Sequence, residues 1–131
     1  MSAAILDRIL NSEGSKYPID FQKIIDLMGG ADSIGPTHEE FLWNAYSFGK
    51  KAHQGQLRKS GEPYFTHCVE VATILADMKL DPVTISAALL HDVVEDTGYT
   101  RKDVAKEFSE ELASLVDGVT KLSDMKFRSE E

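Results

Sequence analysis

The run LLHDVVEDT, residues 89–97, passes from two leucines straight into His91, Asp92, Glu95 and Asp96. Burying an unpartnered polar group costs roughly 2–7 kcal/mol, and a bare charge costs more. A helix that reads as wholly buried and ends in these residues therefore needs something to compensate them. A divalent cation is the natural candidate, because neutral imidazole and carboxylates are its usual ligands and its charge stabilises buried anions. Helix neighbours point about 100° apart, so His91 and Asp92 can share one ion only near a helix end or with help from another element. Glu95 lies one turn beyond His91, and Asp96 one turn beyond Asp92. The four can thus surround one pocket at the end of the helix. A solvated helix end is the plainer reading of a lone His-Asp pair, and the further acidic residues weigh against it.

A second cluster lies upstream, in KKAHQGQLRKSGEPYFTH. Lys50, Lys51, Arg58 and Lys59 fall within ten positions that hold no acidic residue, in a chain of net charge −8. A local positive loop beside a metal site suits a phosphorylated ligand, since arginine grips phosphate bidentately or stacks on a base. The bland alternative is a solvated loop. His53 sits beside this loop, where ordering the loop suits it better than binding phosphate. Cys68, a lone thiol with no evident activating neighbour, reads as a small inert hydrophobe.

The elements that must position these groups are helices. Apolar residues recur at i, i+3, i+4 and i+7 with no sustained alternation, which predicts an all-α domain. Ile5, Leu6, Ile9 and Leu10 form a first short stripe. Phe21, Ile24, Ile25 and Met28 form a second, with Asp20 as its expected N-cap and Gly29-Gly30 as its stop. Thr37 to Glu40 has the form of a capping box, opening a helix with Phe41, Leu42, Ala45 and Phe48 on one face and an end near Ala52. Trp43 and Tyr46 on that helix are expected to pack, and His38 in its first turn to be solvated. The glycines and proline of residues 54–63 predict a loop. A helix over residues 66–79 is expected to use Val71, Ile74, Leu75 and Met78. Asp81-Pro82 then reads as N-cap and N1 of a central core helix, apolar nearly all round, that continues to Asp96. A capping box at Thr100 to Asp103 and a cap at Ser109 open two more helices, the last ending near Asp117-Gly118. The polar composition after Leu122 offers no terminal helix to cover the core, which suggests a longer protein cut here.

At 131 residues the chain fits one domain. Its negative charge argues against nucleic-acid binding, which needs clustered cations to neutralise phosphates. Asp7 and Arg8 interrupt the apolar N-terminal stretch, so it is neither a secretory signal nor a membrane span. A single cysteine allows no internal disulfide, and both features fit the cytoplasm.

Taken together, HQGQLRKSGEPYFTH, AALLHDVVEDTGYT and LVDGVTKL resemble, in order and spacing, the N-terminal hydrolase domain of the RelA/SpoT homologue family, bifunctional enzymes that make and degrade the alarmones ppGpp and pppGpp. The likeness runs from about Glu39 to Leu122. It implies an HD-type metal phosphohydrolase bundle over residues 37–131, incomplete at its C-terminal end, preceded by a helical extension over 1–36. The implied activity is removal of the 3′-pyrophosphate of the alarmone, usually with Mn2+. By the same resemblance His67, His91 and Asp92 are metal ligands, Glu95 and Asp96 orient or activate the attacking water, and Arg58, Lys59 and Ser60 contact the nucleotide, with Arg58 stacking on the guanine. The intact HDVVEDT is the pattern of hydrolase-competent members. GVTKL points toward the long bifunctional enzymes and so to a downstream synthetase domain.

Two departures from the family pattern stand out. Cys68 replaces the usual proline after His67, which affects only the start of the helix. The family's last metal ligand, an aspartate in a segment like KLADRLHN, has no counterpart; Asp117 and Asp124 lack that context and are not assigned to the role. The expectation is a weakly active or inactive fragment, with self-association possible through an uncovered apolar face. The competing readings are a generic HD-type nucleotide phosphohydrolase and a non-catalytic alarmone-binding module.

Overall fold

The chain's computed structural model describes residues 17–130, without the side chains of residue 95 and residues 122–130. The stripe of Ile5, Leu6, Ile9 and Leu10 and most of the expected 1–36 extension lie outside the described residues. Where the chain is described it is helical, as the periodicity predicts; a lone antiparallel bridge joins Leu57 to Pro63.

Helix α1 (Ile19–Leu27) buries Phe21, Ile24 and Ile25. Its N-cap is Pro18 and not Asp20. The Asp20 carboxylate instead accepts hydrogen bonds from the backbone N–H of Phe21 and from the hydroxyl of Tyr46, both at 2.8 Å. Gly29 follows at φ +99°, a left-handed conformation that stops the helix. After the short α2 (Ala31–Ile34), helix α3 (Pro36–Ala52) begins at Gly35-Pro36 with proline in its first turn. The expected Thr37 capping box is absent because proline's fixed φ starts the helix before Thr37 can cap it. Its end at Ala52 is as expected.

Helix α4 (Phe65–Asp77) turns a different face inward from the one its larger residues suggest. Phe65, Cys68, Val69, Ala72 and Ala76 are buried, while Ile74 and Met78 are 59% and 63% exposed. Small residues at 68, 72 and 76 let the helix approach its neighbours closely, and packing outweighs the bulk of the other stripe.

Helix α5 (Pro82–Leu90) is the centre of the molecule. It packs against α3, α4 and α8, and residues 85–90 are all buried. Asp81 caps it, accepting from the N–H of Thr84 at 3.0 Å, with Pro82 in the first turn, as the sequence predicts. Contact with α3 is tight at Gly49, where a Cβ would stand 2.6 Å from the ring of Phe65 and 2.8 Å from the carbonyl oxygen of Leu89.

The core helix does not continue to Asp96. It ends at Leu90, turns at His91-Asp92, and resumes as the short α6 (Val93–Asp96). Helix α7 (Arg101–Glu107) has the expected capping box, with Thr100 and Asp103 bonded reciprocally. Ser109 caps α8 (Glu110–Glu130) through the N–H of Leu112 at 3.0 Å. Gly118 does not end that helix. The backbone runs on helically through the polar tail to Glu130, correcting the expectation of no terminal helix.

Candidate metal centre

The turn at residues 91–92 solves the angular problem posed by adjacent helix residues. His91 is the C-cap of α5 and Asp92 the N-cap of α6, so the two side chains leave the helix where its geometry relaxes. His67, in the first turn of α4, faces them. One ligand atom from each of His67, His91 and Asp92 lies within 4.8 Å of the others. Bonds of about 2.0–2.2 Å to a shared ion hold such atoms up to about 4.4 Å apart, so the observed spacing is close to what a shared ion requires.

The hydrogen bonds fix which atoms face the centre. Nδ1 of His91 lies 2.6 Å from the carbonyl oxygen of Ala88, which only accepts, so Nδ1 carries the proton. Nε2 is left with its lone pair, buried and without a hydrogen-bond partner. It stands 3.0 Å from Oδ2 of Asp92, in close approach but without hydrogen-bond alignment. Nε2 of His67 is 4.0 Å from the same oxygen. Two imidazole nitrogens and a carboxylate oxygen converging in this way, with one lone pair unsatisfied, fit a divalent cation.

A further residue supports the centre, and the sequence reading missed it. The hydroxyl of Tyr64 donates to Oδ2 of Asp92 at 2.9 Å. Its place in PYFTH, three positions before His67, was the available signal. Burial, then the bond to Asp92 and the charges of Asp92 and Asp96, push the Tyr64 phenol well above its ordinary range, so it remains a donor. For His91, burial is the largest single influence and opposes protonation. The carboxylate of Asp92 close by and the Ala88 carbonyl together outweigh it and raise the pKa. Burial likewise works to raise Asp92, but His91, Tyr64 and His67 hold it below the usual carboxylate range. His67 is lowered, chiefly by burial. Cys68 is fully buried 4.0 Å from Asp92, and burial drives its thiol far up, consistent with an inert side chain.

The remaining candidates are distributed around this centre. Asp96 is exposed at the end of α6, and its charge is felt at Tyr64, Cys68 and His91. The Glu95 side chain lies outside the described residues. Arg58 pairs with Glu62 and Glu70 at 3.9 and 3.8 Å, and its positive charge reaches His67. Lys59 and Ser60 are exposed at the tip of the loop and do not enter the three-ligand cluster. His53 is buried against the rings of Tyr64 and Phe65, in keeping with a loop-ordering role. Asp117 pairs with Arg101 at 2.8 Å, away from the cluster. The side chain of Asp124 lies outside the described residues. Thr120, of GVTKL, donates to the carbonyl oxygen of His91 at 2.8 Å and so ties α8 to the turn. Among the described residues no helix is long and apolar enough to cross a membrane.

Comparison with known proteins agrees with this geometry. Residues 45–131 match the HD domain family. The chain is 56% identical over 87 residues to the bifunctional (p)ppGpp synthase/hydrolase SpoT of Escherichia coli, covering 66% of this chain and 12% of that protein. It is 47% identical over 96 residues to a guanosine-3′,5′-bis(diphosphate) 3′-pyrophosphohydrolase of Aquifex aeolicus, covering 73% of this chain and 14% of the relative. Against a GTP pyrophosphokinase of Streptomyces coelicolor it is 52% identical over 125 residues, 95% of this chain and 15% of the relative. The matched stretch thus spans only 12–15% of the length of these curated relatives. With the all-helical fold, the converging His67, His91 and Asp92, and these relatives bearing out the RelA/SpoT resemblance, the chain belongs to the HD domain family.

Proposed function

We propose that this chain is the hydrolase portion of a bifunctional alarmone synthetase/hydrolase, working in the cytoplasm. On this reading it removes the 3′-pyrophosphate of ppGpp or pppGpp to leave GDP or GTP. The observation that carries the reading is the buried, unpartnered Nε2 of His91 beside Asp92 and His67, in a chain whose relatives include proteins named 3′-pyrophosphohydrolases.

His67, His91 and Asp92 would hold Mn2+. When bound, such an ion lowers the pKa of its water and polarises a phosphoryl oxygen. The chain's own residues do the rest. The Ala88 carbonyl keeps the His91 proton on Nδ1, and Tyr64 fixes the Asp92 carboxylate. Asp96, with Glu95, accepts the proton of the attacking water. The water oxygen bonds to the phosphorus attached to the 3′ oxygen, that P–O bond breaks, the 3′ oxygen takes up the proton held by the carboxylates to become the hydroxyl of GDP or GTP, and pyrophosphate departs. Arg58 stacks on the guanine, while Lys59 and Ser60 contact the polar groups beside it. This requires Arg58 to give up exposed pairs with Glu62 and Glu70 that are worth little.

The test is release of pyrophosphate from radiolabelled ppGpp with Mn2+, by this chain and by a version extended along its gene to the full-length protein. Release by the extended version, lost in Asp92→Ala, supports the proposal. No release from either, with Mn2+ shown to be bound, overturns it.

A further inference from the structure

The loop carrying Arg58 and the turn carrying Asp96 are far apart in sequence, yet Gln56 joins them. Its side-chain Nε2 donates to the carbonyl oxygen of Asp96. That oxygen can only accept, so the amide orientation is settled and Oε1 must face His53, whose Nδ1 lies 2.7 Å away and donates to it. His53 is 1% exposed and so offers a rigid anchor at the end of α3. The backbone of Gln56 is committed as well: its N–H donates to the carbonyl of His53 at 3.0 Å, and its carbonyl accepts from the N–H of Tyr64 at 2.9 Å. Tyr64 in turn donates to Asp92. One residue thereby connects the end of α3, the entrance of α4 and the short helix after His91-Asp92. Helix α6 is only one turn long, held by bonds such as Asp96 N–H to Asp92 at 2.9 Å and Thr97 N–H to Val93 at 3.2 Å. A helix so short has little stability of its own, and an external bond to its last carbonyl decides where Asp96 stands.

We infer that Gln56 is a positioning residue: braced by His53, it latches the Asp96 turn to the cationic loop and sets the placement of the Asp96 carboxylate relative to Arg58 and to the metal ligands. The inference rests on the proposed alarmone hydrolysis for its catalytic consequence, and on the hydrogen bonds alone for its structural one. Gln56 touches neither the reacting atoms nor the three ligands, so its loss acts on turnover through Asp96 and leaves metal affinity alone.

Two substitutions separate the arms of the latch. Gln56→Met keeps the length and removes both bonds. Gln56→Glu keeps an acceptor for His53 but sets an oxygen against the Asp96 carbonyl. Amide hydrogen exchange on the 131-residue chain is expected to show Asp96 and Thr97 exchanging at least tenfold faster in both variants, with the amides of α5 unchanged. In the extended version, kcat for ppGpp is expected to fall tenfold or more, with KM and Mn2+ affinity within about twofold of the wild type. Unchanged exchange at Asp96 and Thr97 overturns the latch, as does a uniform rise across α4 and α5, which marks a merely structural role. If the wild type releases no pyrophosphate in any version, the hydrolase reading fails while exchange still decides the latch.

Discussion

The hydroxyl of Tyr64 donates to Oδ2 of Asp92 at 2.9 Å, linking the residue before α4 to a proposed ligand 28 positions downstream. Outer partners of this kind hold a ligating carboxylate in one orientation, and their loss typically costs 10–100-fold in metal affinity. Tyr64→Phe is therefore expected to weaken Mn2+ binding by about tenfold or more while the fold is retained. Titration calorimetry beside circular dichroism checks both parts, and equal affinity in the two proteins would show that the bond is idle.

Metal binding is also expected to stabilise the fold. Mn2+ bound only by the native state adds about 2.7 kcal/mol at a concentration one hundred times its Kd. Thermal unfolding should shift upward with Mn2+ and return on chelation. Asp92→Ala should abolish the shift, because it removes the carboxylate of the cluster formed by His67, His91 and Asp92.

The Thr120 bond to the His91 carbonyl gives GVTKL a mechanical role. That carbonyl sits at a helix end, where acceptors lack partners along the helix. Thr120→Val preserves shape and removes the donor, and is expected to cost about 1 kcal/mol, read as a lower urea midpoint at constant m-value.

Gly49 allows α3 and α5 to meet. Gly49→Ala would put a methyl group 2.8 Å from a backbone oxygen and nearer still to the Phe65 ring, and overpacking of this kind costs roughly 1–3 kcal/mol. The better helix propensity of alanine offsets less than this. A net fall in Tm is expected, and a rise would mean that the helices separate freely.

Asp81 gives the cap of α5 a pH dependence. Its bond to the Thr84 hydroxyl, opposed by slight burial and helped by backbone N–H groups, lowers its pKa. A folded value below the unfolded one contributes stability that is present above the unfolded pKa and lost as pH falls through the folded one. Asp81→Ala is expected to destabilise by about 1 kcal/mol at neutral pH, and the gap should narrow on acidification through and below the carboxylate range. Denaturant unfolding at several pH values reads this, and a gap independent of pH would leave the carboxylate charge without a part in the cap.

Much of this molecule is written locally. The cap at Asp81-Pro82, the reciprocal box at Thr100 and Asp103, the cap at Ser109 and the loop after α3 all follow from residues within a turn of one another. The sequence alone therefore determined an all-helical chain, and the order of its motifs singled out His67, His91 and Asp92, whose ligand atoms the structure brings within 4.8 Å of one another. What it misjudged was nonlocal. Asp20 reads as a cap but is claimed by Tyr46, 26 residues away. Ile74 and Met78 read as core, but the small residues at 68, 72 and 76 allow closer packing and took that place. Gly118 reads as a stop, yet α8 runs through it. At the centre itself, only the tertiary structure decided that α5 breaks at His91, that Tyr64 holds Asp92, and that Gln56 reaches the Asp96 turn. Each depends on bonds between groups distant along the chain, whose distances no periodicity encodes.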